Sequence, residues 1–374
     1  MINAKELLWS ARRGCERPAA AREKAATSHD HRTDLLRRMA LLGLAALVSV
    51  SALLASASTA PRRATQPAAR SPRSIMDESA AGSVAVMMNG LRGAMGREIA
   101  AVCLKRPGVT LAPFALEKEG GEVVVDDGCG GPAVTVRLYG TEARDELAER
   151  VKAEYPQSGS LVCIDFTHPS AVNGNAEWYA AHKLPFVMGT TGGDREALMK
   201  CTRASGTYAV IAPNMAKQIV ALQAALEQMA RDFPGSFDGY SLSVVESHQT
   251  SKADTSGTAK AISASLARLS GESDFTPERI VRVREPAEQL AGGGPSHTGV
   301  SPVPEAALSG HAFHTYSLVS GDKAVEFQFR HNVLGRSTYA EGTVDAVVFL
   351  ARQMVAKAEK RVYDMVDVLR AGAM

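Results

Sequence analysis

Short apolar runs that recur between stretches of helical periodicity constrain this chain more than any other feature in it. SVAVMM at 83–88, VTLAPFAL at 109–116, SLVCIDF at 160–166, PFVMG at 185–189 and TYAVIA at 207–212 read as buried strands. Apolar residues at helical spacing run from Met95 to Leu104, and further helical stretches begin at Pro169 and near Asp194. Proline suits a first helical turn, because the N–H it lacks would have no partner there. Strand, helix and strand at these intervals predict a parallel, doubly wound sheet of the α/β class.

Beyond Asn214 the rhythm changes. A long helix over 216–231 leads to a strand at 241–247, a helix from about Ser256 and a strand near 279–284. A Gly- and Pro-rich loop, either a flap or a disordered segment, spans 285–309. Strands at 311–319 and 323–331 are joined by Ser320-Gly321-Asp322, a hairpin signature. These elements predict a second, α+β domain with a mixed sheet. From Ser337 a helical pattern runs nearly to the end and is expected to return to the first domain. The predicted division is 82–215 with 337–374 for one domain and 216–336 for the other.

Charge divides the chain differently. Residues 1–76 hold 13 Lys+Arg against 5 acids, a net of +8, while the remainder holds 29 bases and 35 acids, a net of −6. The formal +2 of the whole describes neither part, but it excludes a strongly basic nucleic-acid binder and a disordered polyelectrolyte. The arm is Arg- and Ser-rich, and its apolar stretch Met39–Leu54 is shorter than the ~20 residues of a membrane span. That profile predicts a plastid or mitochondrial transit peptide; a disordered tail and a twin-arginine or secretory signal at Arg37-Arg38 are the alternatives. The five cysteines are scattered without a CxxC pair, so neither a disulfide framework nor a zinc site is indicated. Cys163 reads as a small buried hydrophobe.

Two motifs carry chemistry. Gly90-Leu91-Arg92-Gly93-Ala94-Met95-Gly96 closes the first strand and opens a helix with GxxGxxG spacing, a variant of the dinucleotide fingerprint. Glycines let the backbone approach a pyrophosphate, and the helix N-terminus offers unpaired N–H groups. The acid expected near the ribose is Glu117, with Asp126 as rival, and the adjacent Lys118 favours a 2′-phosphate instead. A nicotinamide cofactor is therefore expected, NADPH or NADH. The alternative is a glycine-rich turn that binds nothing.

The second motif runs from Glu246 through His248, Gln249 and Lys252 to Ser256-Gly257-Thr258. A helix starting at Ser256 would present open N–H groups to an anion, with Lys252 adding positive charge on the same loop. His248, with an ordinary pKa near 6.5, is the proton-handling group. His311, His314 and His331 read as structural; the first two, three apart on a strand, point to opposite faces, and no metal site is expected.

The stretch ESHQTSKADTSGTA resembles the signature ExHHxxKxDxPSGTA of dihydrodipicolinate reductases, NAD(P)H-dependent oxidoreductases of lysine biosynthesis. NGLRGAMG, VMGTTGGD, APNMAKQ and HNVLGRSTYAEGTVDA extend the resemblance over about 82–374, and VYDMVDVLRAGAM with SGHAFHTY is similar to the plant and algal branch. It implies a Rossmann-like first domain, a second domain that binds substrate and builds a homo-oligomer (dimer or tetramer), and a plastid stroma address. It implies that Gly90 to Gly96 hold the cofactor pyrophosphate. Gly189, Thr190 and Thr191, with Ala212, Pro213, Asn214 and Met215, line the nicotinamide side, and Arg336 and Tyr339 lie near the cofactor. His248 matches the proton donor/acceptor and Lys252 the second catalytic residue. Ser256, Gly257 and Thr258 match the site for a carboxylate of a small dicarboxylate substrate. Gln249 stands where the pattern has a second His; it hydrogen-bonds without titrating, so pH dependence is expected to rest on His248 alone. Thr255 replaces the usual Pro. The competing readings are another two-domain Rossmann oxidoreductase and a cofactor-sensing protein without turnover; neither nucleic acid nor membrane is an expected partner.

Overall fold

The computed structural model describes residues 83–293 and 300–372. The basic arm, its apolar stretch Met39–Leu54, and positions 294–299 of the expected flap lie outside the described residues.

The chain enters through β1 (Val84–Asn89), α1 (Ala94–Lys105) and β2 (Val109–Leu111). An excursion of β3 (Phe114–Leu116), β4 (Gly121–Val125), β5 (Val134–Tyr139) and α2 (Arg144–Glu154) follows. It then returns through β6 (Leu161–Asp165), α3 (Val172–His182), β7 (Phe186–Met188), α4 (Arg195–Ser205) and β8 (Ala209–Ile211). The second half holds α5 (Lys217–Asp232), β9 (Tyr240–His248), α6 (Gly257–Ser270), β10 (Val281–Val283), α7 (Pro286–Ala291), β11 (His311–Ser320) and β12 (Glu326–Leu334). The chain closes with α8 (Ser337–Val355), β13 (Val362–Tyr363) and α9 (Met365–Arg370).

The first sheet has the order β13-β8-β7-β6-β1-β2, and all its ladders are parallel. β1 lies between β2 and β6, so the winding reverses there, and the carboxyl ends of β1 and β6 flank the crevice where such sheets bind ligands. β1 is buried along its whole length, as its continuous apolar run demands. α8 lays Val344, Val347 and Leu350 across this sheet, each fully buried side chain contributing roughly 1.5–3 kcal/mol. Cys103 and Cys163 are buried within the same core, and burial pushes the Cys103 thiol up to about 12, which makes it inert near neutral pH.

The second sheet, β10-β9-β11-β12, pairs β10 with β9 in parallel and the other strands antiparallel, the mixed sheet expected. α5 and α6 cover it through Leu226, Ile262 and Leu266, which pack with Val244, Tyr316 and Leu318. Among the described residues no helix is long and apolar enough to cross a membrane.

Three expectations need correction. The run 109–116 is two strands, broken at Ala112-Pro113: Ala112 N–H still bonds Val86 in the main sheet, while the Pro113 carbonyl already accepts from Arg137 in another. Proline cannot donate to a ladder, so the chain changes sheets there, and β3 joins the small sheet β3-β5-β4. The C-terminal helix stops at Val355; Lys357 takes a left-handed φ of 51°, and β13 adds an edge strand beside β8. The loop 285–309 contains α7, whose Gln289 is fully buried.

Candidate active site

The crevice above β1 is shaped by glycine. Gly90 follows the strand at φ +83°, and a Cβ there would overlap the Phe166 carbonyl. A Cβ on Gly96 would overlap the Gly90 carbonyl, so α1 packs against the turn only because that position is bare. The N-cap of α1 is Gly93, which makes no side-chain cap bond, so the first N–H groups of the helix point out unclaimed. A dinucleotide pyrophosphate fits this cradle. Leu91 is buried beneath it, Met95 is half-buried beside it, and Ala94 begins the helix.

A polar network holds the turn from below. Asn89, fully buried, accepts from the Leu116 N–H at 2.8 Å and donates to the Tyr179 hydroxyl at 2.7 Å. Tyr179 donates to Asp165 at 2.8 Å, and Asn175 and the Thr167 and Thr190 hydroxyls complete the shell of that buried carboxylate. Four partners in place of a cation are what allow a carboxylate to stay buried. The Gly189 and Thr190 N–H groups donate to the Asp165 carbonyl, so Asp165 fixes the loop after β7 as well. Thr190 therefore spends its hydroxyl on Asp165, and Thr191 is exposed. A Cβ on Gly189 would overlap the Phe166 ring.

Beside the cradle lies a cavity of about 630 Å³, lined by Gly90, Gly93, Glu117, Lys118, Arg144 and Thr167 among others. Glu117 accepts the Arg92 N–H at 3.1 Å, while the Arg92 guanidinium donates to the carbonyls of Glu119 and Gly120. Arg92 is thus tied to the β3–β4 connection. Asp126 instead closes its own turn through the Gly128 N–H.

A second cavity of about 280 Å³ brings the two sheets' loops together. Met95, Phe166, Gly189, Pro213, Asn214 and Met215 line one wall; His248, Gln249, Lys252, Arg336 and Tyr339 line the other. Phe166 borders both cavities. Ala212 is buried behind this wall, its N–H on Met188. Asn214 donates to the Thr258 hydroxyl at 3.0 Å, joining the end of the parallel sheet to the start of α6.

The loop 249–256 owes its shape to arginine. Arg284, just past β10, pairs with the buried Glu246 carboxylate and donates to the carbonyls of Lys252 and Asp254; Arg282 holds the Ala253 carbonyl at 2.7 Å. The other Glu246 oxygen accepts the Ser256 N–H at 2.9 Å, which corrects the expectation of an open amide there. Ser256 occupies the N-cap position, and its side chain makes no cap bond. The exposed Gly257 and half-buried Thr258 begin the helix, where first-turn N–H groups have no intrahelical partner. Lys252 Nζ bonds the exposed Asp254 carboxylate at 2.7 Å, a contact an incoming anion can replace.

His248 is 7% exposed, and Gln289 Nε2 donates to its carbonyl at 2.7 Å. Its Nε2 lies 2.9 Å from Nε2 of His314, whose Nδ1 is 2.9 Å from the Tyr316 hydroxyl. β11 sets His314 opposite Glu246, on the face that carries His248, so this histidine reaches the site. His331 is half-buried, its ring 4.5 Å from His314 and its Nδ1 without a hydrogen-bond partner among the described residues, while His311 bonds the Ser247 hydroxyl at 2.9 Å. Burial first, then Arg284 and Lys252, push the His248 pKa down to about 3; burial also drives His314 well below its ordinary value. Among the described residues, Glu246, His248 and His314 bring ligand-type atoms within 4.8 Å of one another. Arg284 and the Ser256 amide already occupy the carboxylate, so the protein supplies the cation itself.

Sequence reading missed Asp165, Arg284, Gln289 and His314. The first two had a signal, since each is a charged residue closing an apolar run at a strand end, where α/β sheets build their sites. Gln289 and His314 had none, because their roles arise from cross-strand and loop contacts dozens of residues away.

Comparison with known proteins gives one answer. The family described as "Dihydrodipicolinate reductase, N-terminus" matches residues 84–215, and "Dihydrodipicolinate reductase, C-terminus" matches 218–369. The chain is 47% identical over 293 residues to 4-hydroxy-tetrahydrodipicolinate reductase 2, chloroplastic, of Arabidopsis thaliana, covering 78% of each. It is 45% identical over 292 residues to a probable 4-hydroxy-tetrahydrodipicolinate reductase 2, chloroplastic, of Oryza sativa subsp. japonica, covering 78% of this chain and 85% of that one. With 4-hydroxy-tetrahydrodipicolinate reductase 1, chloroplastic, of Arabidopsis thaliana it shares 44% over 291 residues, covering 78% and 79%.

Proposed function

The chain belongs to the dihydrodipicolinate reductase family, and from that premise and the cleft's chemistry we infer that it is an NAD(P)H-dependent 4-hydroxy-tetrahydrodipicolinate reductase of lysine biosynthesis. The observation that carries the reading is a cavity lined by Met95 and Gly189 on one side and by His248 with Lys252 on the other, beside a second cavity lined by the glycine cradle, with Phe166 bordering both.

We propose the following division of labour. Gly90 to Gly96 take the cofactor pyrophosphate on the α1 N-terminus, and Glu117 meets the adenosine ribose, with Lys118 at hand for a 2′-phosphate. Gly189, Thr190, Thr191, Ala212, Pro213, Asn214 and Met215 shape the nicotinamide seat, and Arg336 and Tyr339 close it from the opposite wall. A reduced nicotinamide held by these residues would supply the hydride that converts a cyclic, doubly carboxylated unsaturated imine to tetrahydrodipicolinate. Lys252 releases Asp254 to hold a substrate carboxylate with the Gly257 and Thr258 amides, Ser256 fixing the start of that turn and Gln249 adding a hydrogen bond. His248 handles the proton that accompanies reduction. Residues 82–215 with 337–374 form the cofactor domain and 216–336 the substrate domain, which closes on hinges near Asn214 and Arg336. The arm 1–76 directs the protein to the plastid stroma, in keeping with the chloroplastic relatives, and the substrate domain builds a homo-oligomer.

The test is to follow NADPH and NADH oxidation with enzymatically generated dihydrodipicolinate. Saturable oxidation with either cofactor is the expected outcome. Absence of turnover with both, in a protein that still binds cofactor, would replace the reductase by a sensor.

A further inference from the structure

We propose that His314 is a positioning residue for the reduction: its Nε2 holds Nε2 of His248, so the two imidazoles share one proton site and His248 exchanges protons with the substrate through Nδ1. The inference rests on the reading of His248 as the proton-handling group.

The geometry permits few arrangements. Two ring nitrogens 2.9 Å apart need one proton between them and have room for no second. If that proton belongs to His314 Nε2, the Tyr316 hydroxyl donates to His314 Nδ1, and neutral His248 carries its proton on Nδ1. If it belongs to His248 Nε2, His314 carries Nδ1–H and the Tyr316 oxygen accepts. The hydroxyl serves either state, so the tautomer of one ring dictates that of the other. His314 is 2% exposed and Tyr316 fully buried, so water does not compete for these bonds.

Every charged or titratable neighbour bears on this pair. From β9, Glu246 Oε2 lies 4.0 Å from His248 Nε2, its charge balanced by Arg284 beyond β10. Lys252 stands on the following loop, His311 is on β11, and His331 stacks in from β12. Burial and the two cations keep the pair neutral without an anion, and a doubly negative substrate beside Lys252 reverses that balance and draws in one proton. The protonated pair has Nε2–H of His248 on the lone pair of His314 Nε2, and Nδ1–H of His314 on the Tyr316 oxygen. In the transfer, the His248 Nδ1–H bond breaks and a C–H bond forms with the electron pair that hydride addition leaves on the substrate. The pair returns to neutral, and one solvent proton restores it. His314 thus does for His248 what an orienting carboxylate does for a catalytic histidine, but without a charge that would hold the proton too tightly.

The experiment compares His314→Leu, His314→Gln and Tyr316→Phe with His248→Gln in the full chain, measuring kcat and both KM values from about pH 5 to about pH 9. Loss of the acceptor on Nε2 in His314→Leu should lower kcat about 10–100-fold, leave the cofactor KM unchanged, and move the basic limb of the kcat profile down by about one pH unit. His314→Gln places an amide oxygen near the Nε2 position and should recover most of the rate while the limb stays partly displaced, because an amide oxygen accepts from His248 Nε2 more weakly than an imidazole nitrogen and makes no bond on to Tyr316. Tyr316→Phe should move the limb the same way by less. Profiles superimposable on the wild type in these variants would overturn the proposal; if circular dichroism shows His314→Leu unfolded, the other two decide. A wild-type kcat in His248→Gln would instead remove the reading beneath it.

Discussion

The two walls of the cleft are made of different material. Above the parallel sheet the protein presents backbone: Gly90, Gly96 and Gly189 are bare where any Cβ would overlap a neighbour, and amides at the start of α1 face outward. Above the mixed sheet it presents side chains, His248 and Lys252, held by Glu246, Arg284, Gln289 and His314. A backbone wall suits the shape and charge common to every dinucleotide, the role proposed for it, and has nothing to react with. A side-chain wall of the kind proposed, with a histidine to move a proton and a lysine to pair with a carboxylate, needs buried partners to keep them in place. Damage to one wall should therefore appear in affinity, and damage to the other in rate.

The largest effect tests the reactive wall. His248→Gln keeps a polar side chain of similar reach but cannot donate a proton from an imidazolium, so kcat should fall about 10²–10⁴-fold. Cofactor affinity, measured by fluorescence titration of NADPH, should stay within about twofold, because no atom of the glycine cradle has changed. A comparable loss in both quantities would mean that the walls are not separable.

This division also explains what the sequence made legible. The glycine wall is local: strand, GxxGxxG and helix lie within 22 residues, from Val84 to Lys105, so spacing alone points to it. The reactive residues are local too, since His248 and Lys252 share one loop. Their supports are not. Arg284 reaches Glu246 across 38 positions and His314 reaches His248 across 66, contacts that exist only once β10, β9 and β11 are in register. The same limit hid the small β3-β5-β4 sheet, because β4 offers only the short run Val123–Val125 and is mostly exposed. What pairs at a distance leaves at most a charged residue at the end of a strand.

The converse lesion is Gly90→Ala. It forces a non-glycine residue to φ +83° and drives its Cβ into the Phe166 carbonyl. Left-handed strain of about 1 kcal/mol and overpacking of about 1–3 kcal/mol should combine to weaken NADPH binding about 10–100-fold. The kcat at saturating cofactor should change by less than about threefold, since Phe166 and the turn shift while His248 does not. A loss confined to kcat would reverse the assignment of the two walls.

Acid stability gives the smallest effect and separates the two sheets themselves. Burial lowers the pKa of His248, His311, His314 and His331, all on the mixed sheet, with His248 at about 3. In the unfolded chain each titrates near 6.5. Below that pH the unfolded state takes up protons that the folded sheet refuses, so stability falls as pH drops from about 6.5 towards the folded values. It is fully retained above 6.5, and the slope is at most about 1.4 kcal/mol per pH unit for each histidine. Urea midpoints should therefore decline between about pH 7.5 and about pH 5.5, and His331→Phe should make the decline shallower. Native-state hydrogen exchange should show amides of β9 and β11 losing protection before those of β1 and β6, because the refused protons belong to one sheet only. If acid loosened both sheets together, the buried histidines would not be what sets the stability of the reactive wall.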